Sequence, residues 1–199
     1  DQVGNLWCKF RDSEVIPESV GGISKAESKY HPIPSVDPTA CTDQFGESGD
    51  WHQRLPHFKL EFTPSVGEEI QTEFFIDRKD AAAALDVISK LGDVINPLLW
   101  ITELRTIAAD EIWLSGAYQR DTVAIHFTWK KEDAIYSVIQ KVEDALRPFN
   151  YRPHWGKVFT ADAKYLSTVY PRMGEFKALI LALDPSKKFE NSFTRRIFS

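Results

Sequence analysis

The feature that most constrains this chain is a switch between strand-like and helix-like patterning over residues 70–146. Ile70 to Ile76 reads as a strand, after which Ala81, Ala84, Leu85, Ile88 and Leu91 fall at helical spacing. Asp77 suits the N-cap of that helix and Gly92 its closing position. Leu98 to Ile107 and Thr122 to Trp129 read as two more strands. Ala134, Ile135, Val138, Ile139, Val142, Ala145 and Leu146 then trace a second amphipathic helix, ended by Pro148. The order strand, helix, strand, strand, helix predicts an α+β fold: an antiparallel sheet with helices on one face, in a split βαβ-like arrangement. An aromatic-rich loop over Tyr151 to Phe159 follows, then helices near 161–169 and 173–182.

Upstream, Phe58 to Thr63 reads as a strand joined to Ile70–Ile76 by a turn around Pro64 and Gly67. The first fifty residues are different. After a strand-like Leu6 to Phe10, the chain is punctuated by Pro17, Gly21, Gly22, Pro32, Pro34, Pro38, Gly46 and Gly49, which forbid long regular elements. The expected division is an irregular lead-in over 1–50 and a domain over 51–199. The chain opens on Asp1 rather than Met, compatible with a processed product or a fragment.

A formal net charge of −5 leaves no basic footprint for nucleic acid. No apolar run approaches the length of a membrane span. Two cysteines, Cys8 and Cys41, are too few for a disulfide scaffold and point to a reducing, cytoplasmic compartment. Thirteen Phe, six Trp and six Tyr are enough to fill a core, line a ligand pocket or cover an inter-domain contact.

Side chains on a strand alternate faces, so Glu103 and Arg105 share one face of their strand. On the next strand Val123, Ile125, Phe127 and Trp129 take one face, and Ala124, His126 and Thr128 the other. In a suitable register Glu103, Arg105, His126 and Thr128 converge on one patch opposite the helices. One reading is a solvated polar face whose ion pair contributes little. The other is a floor of hydrogen-bonding groups for a polyhydroxylated ligand, with carboxylate and guanidinium in fixed geometry. A second cluster is Arg152-Pro153-His154-Trp155-Gly156-Lys157. A lysine ending such a loop can be aimed at a pocket, to stabilise developing negative charge or accept a proton; alternatively Trp155 plugs a core edge and Lys157 faces solvent. His31, His52, His57, His126 and His154 show no metal-ligand spacing, so no metal site is expected. A GxSxG elbow, a GxGxxG turn and a P-loop are missing from the sequence.

Several stretches resemble the alditol (xylitol) oxidases, within the wider aldonolactone oxidase family. They are Thr102 to Asp110, Trp113-Leu114-Ser115, Tyr118, Val123 to Trp129, Arg152 to Lys157, Trp51 to Phe58, and Leu183-Asp184-Pro185 with Lys188 to Phe193. The short Glu-x-Arg and His-Trp-Gly-Lys motifs are similar to the wider family, the longer strings to alditol oxidases. The resemblance implies the cap domain of a two-domain flavoprotein oxidase of the vanillyl-alcohol-oxidase type, with FAD held mainly by an N-terminal domain absent from this chain. It implies oxidation of a terminal CH–OH of alditols such as xylitol or sorbitol to the aldehyde, with O2 reduced to hydrogen peroxide. By the same resemblance Glu103, Arg105, Thr128 and Lys157 contact substrate, Arg105, Lys157 and His126 are catalytic candidates, and Arg105 and Lys157 lie near the flavin ring. The expected partners are a small polyol or sugar lactone and the FAD-binding domain. The isolated chain is expected to be inactive. The alternatives are an aldonolactone oxidase resembling D-arabinono-1,4-lactone oxidase, and a non-catalytic polyol- or sugar-binding module.

Overall fold

A computed structural model describes residues 5–32, 36–62 and 68–198. The chain divides into two compact units, Asp1–Val66 and Gly67–Ser199, so the division falls beyond residue 50.

In the first unit, β1 (Ser19–Val20) and β2 (Ile23–Ser24) form a two-stranded hairpin. Its turn is made by Gly21 and Gly22, both at positive φ where a Cβ would be strained. A 3-10 turn, Pro38–Ala40, is capped by Asp37, and α1 covers Trp51–Arg54. Cys41 pairs with Phe58 as an isolated bridge. Two expected strands are not formed. Leu6 to Phe10 has no regular structure, because no described strand pairs with it to satisfy its backbone. Phe58 makes only its single bridge before the chain turns at Leu60 and Glu61, and Thr63 lies outside the described residues. So do Pro34 and the expected turn at Pro64 and Gly67.

The second unit carries the predicted pattern. β3 (Glu69–Asp77), α2 (Ala81–Ser89), α3 (Gly92–Ile95), β4 (Leu99–Ile107), β5 (Thr122–Lys130), α4 (Ile135–Leu146) and β6 (Arg152–Pro153) are followed by α5 (Ala163–Val169), α6 (Met173–Leu183) and α7 (Ser192–Phe198). The described strands form a four-stranded antiparallel sheet in the order β4-β5-β3-β6. β3 and β4 are both antiparallel to β5, so the β3-α2-β4 unit leaves a gap that β5 fills: the split βαβ arrangement. β5-α4-β6 repeats the device around β3. Fold class is α+β, as the order of periods predicts.

The core lies between the sheet and its helices. Phe74, Ile76, Ile125, Phe127 and Trp129 pack with Ala84 and Ile88 of α2 and with Ile135, Val138, Ile139, Val142 and Leu146 of α4. These α4 positions follow the i, i+3, i+4, i+7 stripe, and each full burial of such an aliphatic chain is worth about 1.5–3 kcal/mol. The 3-10 turn Arg147–Phe149 holds Pro148 and ends at Asn150 in the left-handed region, closing the helix where the proline predicts. Two capping expectations are corrected. Asp77 caps an intervening 3-10 turn, Arg78–Asp80, through the Lys79 N–H, and α2 begins one turn later. Gly92 does not close α2 but opens α3, because Lys90 already ends the helix. α7 was not anticipated; Ile197 buries it in the core.

Candidate functional site

The sheet face opposite the helices carries the polar residues. On β5 the odd positions Val123, Ile125, Phe127 and Trp129 enter the core, so His126 and Thr128 point the other way. The register places Glu103 of β4 directly opposite His126, Arg105 opposite Ala124, and Ile101 opposite Thr128. Four residues singled out in the sequence, Glu103, Arg105, His126 and Thr128, therefore share one face. Arg105 donates to Glu103 Oε2 at 2.5 Å, and His126 Nδ1 lies 3.5 Å from Glu103 Oε1. Thr128 is half-buried, one alternate position along β5 from His126.

Lys157 joins this face through backbone pairing. β6 runs beside β3, with Arg152 opposite Phe75 and Pro153 opposite Phe74. Beyond it His154 N–H donates to Glu73 O at 2.9 Å and Val158 N–H to Gln71 O at 3.0 Å. The chain is thus tied to β3 on both sides of Lys157. Trp155 packs against the core and donates to Leu114 O at 2.8 Å, while the Lys157 side chain, 16% exposed, turns inward. The two alternatives for this loop divide between its residues: Trp155 is a plug and Lys157 is not solvent-facing.

Its partner, Glu73, was not singled out from the sequence. Glu73 sits opposite His126 on the other side of β5, and its side chain is only 7% exposed. One carboxylate oxygen accepts from Lys157 Nζ and the other from Arg105 at 3.2 Å. Lys157, Glu73, Arg105 and Glu103 thus form a continuous run of charge-assisted bonds. The signal was present: Gln71, Glu73 and Phe75 alternate with the core-facing Thr72, Phe74 and Ile76, so Glu73 had to lie on the polar face.

Burial alone would raise the Glu73 carboxyl. The Lys157 hydrogen bond and charge, then Arg105 and His126, outweigh it and hold Glu73 below its ordinary range. His126 is pushed down, first by burial and then by the Lys157 cation, with Glu103 opposing, Arg105 adding to the depression and Glu73 opposing it. Its side chain is 4% exposed, and neither ring nitrogen makes a hydrogen bond. A buried imidazole with neither nitrogen satisfied is an exception among buried polar groups and marks the centre of this face. Glu103 and Arg105 are 44% and 42% exposed, so the charged floor is open on the side away from Glu73. His154 stacks on Phe75 with ring centroids 6.0 Å apart, and burial, then Lys157, lowers its titration too.

The wall is braced by Arg152. This buried guanidinium donates to Val169 O at 2.7 Å, Tyr118 O at 2.9 Å and Gly116 O at 3.2 Å, locking the β4–β5 connection and the end of α5 to β6. Burial lowers its pKa to about 10, so it remains a cation at neutral pH. Among the described residues no group of His, Cys, Asp and Glu could hold a metal ion, and no helix is long and apolar enough to cross a membrane. The face carries two cations, two carboxylates and a neutral imidazole. That donor set fits an uncharged polyhydroxylated ligand, and the cations suit the polar edge of a flavin ring.

Residues 66–197 match the family model described as D-arabinono-1,4-lactone oxidase. An alditol oxidase of a Streptomyces species is 46% identical over 191 residues, which is 96% of this chain and 46% of that enzyme. An L-gulono-1,4-lactone dehydrogenase of Mycobacterium tuberculosis is 35% identical over 130 residues, 64% of this chain and 30% of that enzyme. The L-gulonolactone oxidase of Mus musculus is 28% identical over 100 residues, 48% of this chain and 23% of that enzyme. The chain spans less than half the length of these curated relatives.

Proposed function

The chain belongs to the D-arabinono-1,4-lactone oxidase family, and from that premise we propose that it is the substrate-binding part of an FAD-dependent oxidase of alditols. The observation that carries this reading is the run Lys157–Glu73–Arg105–Glu103 beside a buried His126 with no hydrogen-bond partner. Identity of 46% to an alditol oxidase across nearly the whole chain supports the choice of an alditol over a lactone.

In this reading Glu103 accepts hydrogen bonds from adjacent substrate hydroxyls, and Thr128 orients a further hydroxyl. Arg105 and Lys157 polarise the reacting oxygen and stand beside the flavin ring, where they stabilise negative charge. His126, neutral because burial and Lys157 depress it, takes a hydrogen bond or the hydroxyl proton. Acceptance of the carbinol hydride and its delivery to O2 as hydrogen peroxide is the chemistry that FAD supplies when bound. In this reading an FAD-binding domain is the partner of these residues, and the two free cysteines, Cys8 and Cys41, suit a reducing, cytoplasmic compartment.

A lactone oxidase is the second reading, favoured by the family description and by the lactone-acting relatives. Competition between xylitol and an aldono-1,4-lactone in the flavin-joined protein decides between them. A higher kcat/KM for xylitol supports the alditol reading, and a higher value for the lactone overturns it.

A further inference from the structure

Resting on the oxidase reading, we propose that Glu73 is a positioning residue that fixes Lys157 and Arg105 at the reacting end of the site and sets the charge seen by His126. Three observations carry it. First, both carboxylate oxygens are committed, one to Lys157 Nζ and the other to Arg105, so the two cations are held at a separation set by one rigid, two-pronged acceptor. Second, Glu73 is on the middle of a nine-residue strand, flanked by the buried Thr72 and Phe74. Its side chain is almost wholly enclosed, so the acceptor cannot swing out with solvent. Third, Glu73 and Glu103 occupy the two cross-strand positions of His126, one on each neighbouring strand. The imidazole therefore lies between two carboxylates, with Lys157 and Arg105 completing its charged surroundings.

The arrangement divides labour between the two acids. Glu103, half open, is free to exchange its contact with Arg105 for a ligand hydroxyl. Glu73, enclosed, keeps both cations in place while that exchange happens. Without Glu73, only Glu103 is left to oppose the Lys157 and Arg105 cations near His126, and the flexible four-carbon stem of Lys157 loses the carboxylate that ties it to the face.

The test reads the imidazole directly and needs no flavin. In Glu73→Gln, loss of the carboxylate leaves Lys157 and Arg105 less opposed, so the His126 midpoint in an NMR titration moves to lower pH. In Lys157→Met it moves to higher pH, and in the double variant it returns toward the parent value. A purely structural role for Glu73 would instead expose His126, and its midpoint would rise toward the ordinary histidine value in Glu73→Gln. That rise, or an unmoved midpoint, overturns the proposal. Should Glu73→Gln fail to fold, Lys157→Met is read at the Glu73 carboxyl carbon. A midpoint moved to higher pH supports the assignment, and an unchanged one overturns it. In the flavin-joined protein, Glu73→Gln is expected to lower kcat for a polyol far more than it raises KM. Titrations that move as stated in a joined protein without oxidase activity would refute the oxidase reading alone. Normal turnover in Glu73→Gln with unmoved titrations would refute the Glu73 assignment alone.

Discussion

Glu103 and His126 face each other across β4 and β5, with the imidazole Nδ1 3.5 Å from Glu103 Oε1 while Arg105 donates to the other carboxylate oxygen, Oε2. The pair joins an open, exchangeable acid to a buried ring with no hydrogen-bond partner. This is the arrangement expected of a floor that exchanges internal contacts for those of a ligand.

Loss of either cation should impair chemistry. Arg105→Ala or Lys157→Ala in the flavin-joined protein is expected to lower kcat by roughly 10²–10³, the usual effect of removing one donor aimed at developing negative charge. Steady-state kinetics check this, and full turnover in Lys157→Ala removes that residue from the catalytic set.

Glu103→Gln keeps the size of the side chain but loses the charge that strengthens its hydrogen bonds. A charge-assisted bond contributes about 1–1.5 kcal/mol more than a neutral one, so KM for a polyol should rise roughly 5- to 10-fold with a smaller change in kcat. A fall in kcat at constant KM would move Glu103 from binding to chemistry.

Acid should destabilise the second unit. His126 and His154 both titrate below the ordinary 6.5, chiefly through burial and then the Lys157 cation. The unfolded chain therefore takes up protons first, and stability falls as pH drops through that value. Glu73, also held low, adds a loss below the ordinary 4.5. Glu143 acts in the opposite sense: burial raises it, so its contribution is present in acid and lost as pH rises through its folded value. Melting temperature against pH should slope less steeply in His126→Gln than in the parent, and equal slopes would contradict the assignment.

Gly116 is a packing constraint on the site wall. A Cβ there would lie 2.4 Å from Phe75 Cδ2 and 2.5 Å from its Cγ. Gly116→Ala should cost about 1–3 kcal/mol and displace Phe75 from the His154 ring. Thermal melts and the His154 titration both read this. Adding Phe75→Val should recover stability, and no recovery would mean the cost has another source.

The strand and helix order was legible because periodicity is a local property of β3, α2, β4, β5 and α4. The polar face was legible for the same reason, once β4 and β5 paired in the register that sets Glu103 against His126. Glu73 escaped notice although its alternation gave its face, because its meaning depends on Lys157, 84 residues away, and on backbone ties from His154 and Val158. Leu6 to Phe10 failed as a strand because apolar content does not supply a pairing partner. Asp77 and Gly92 failed as caps because short turns, invisible to an eleven-residue pattern, intervene on either side of α2.

The most direct test is hydrogen peroxide formation from xylitol by this chain supplied with FAD, alone and after joining it to an FAD-binding domain of an alditol oxidase. The account predicts peroxide from the joined protein, little from the chain alone, and loss of peroxide in the joined Lys157→Ala variant. A joined, flavin-loaded protein that makes no peroxide from xylitol would contradict it.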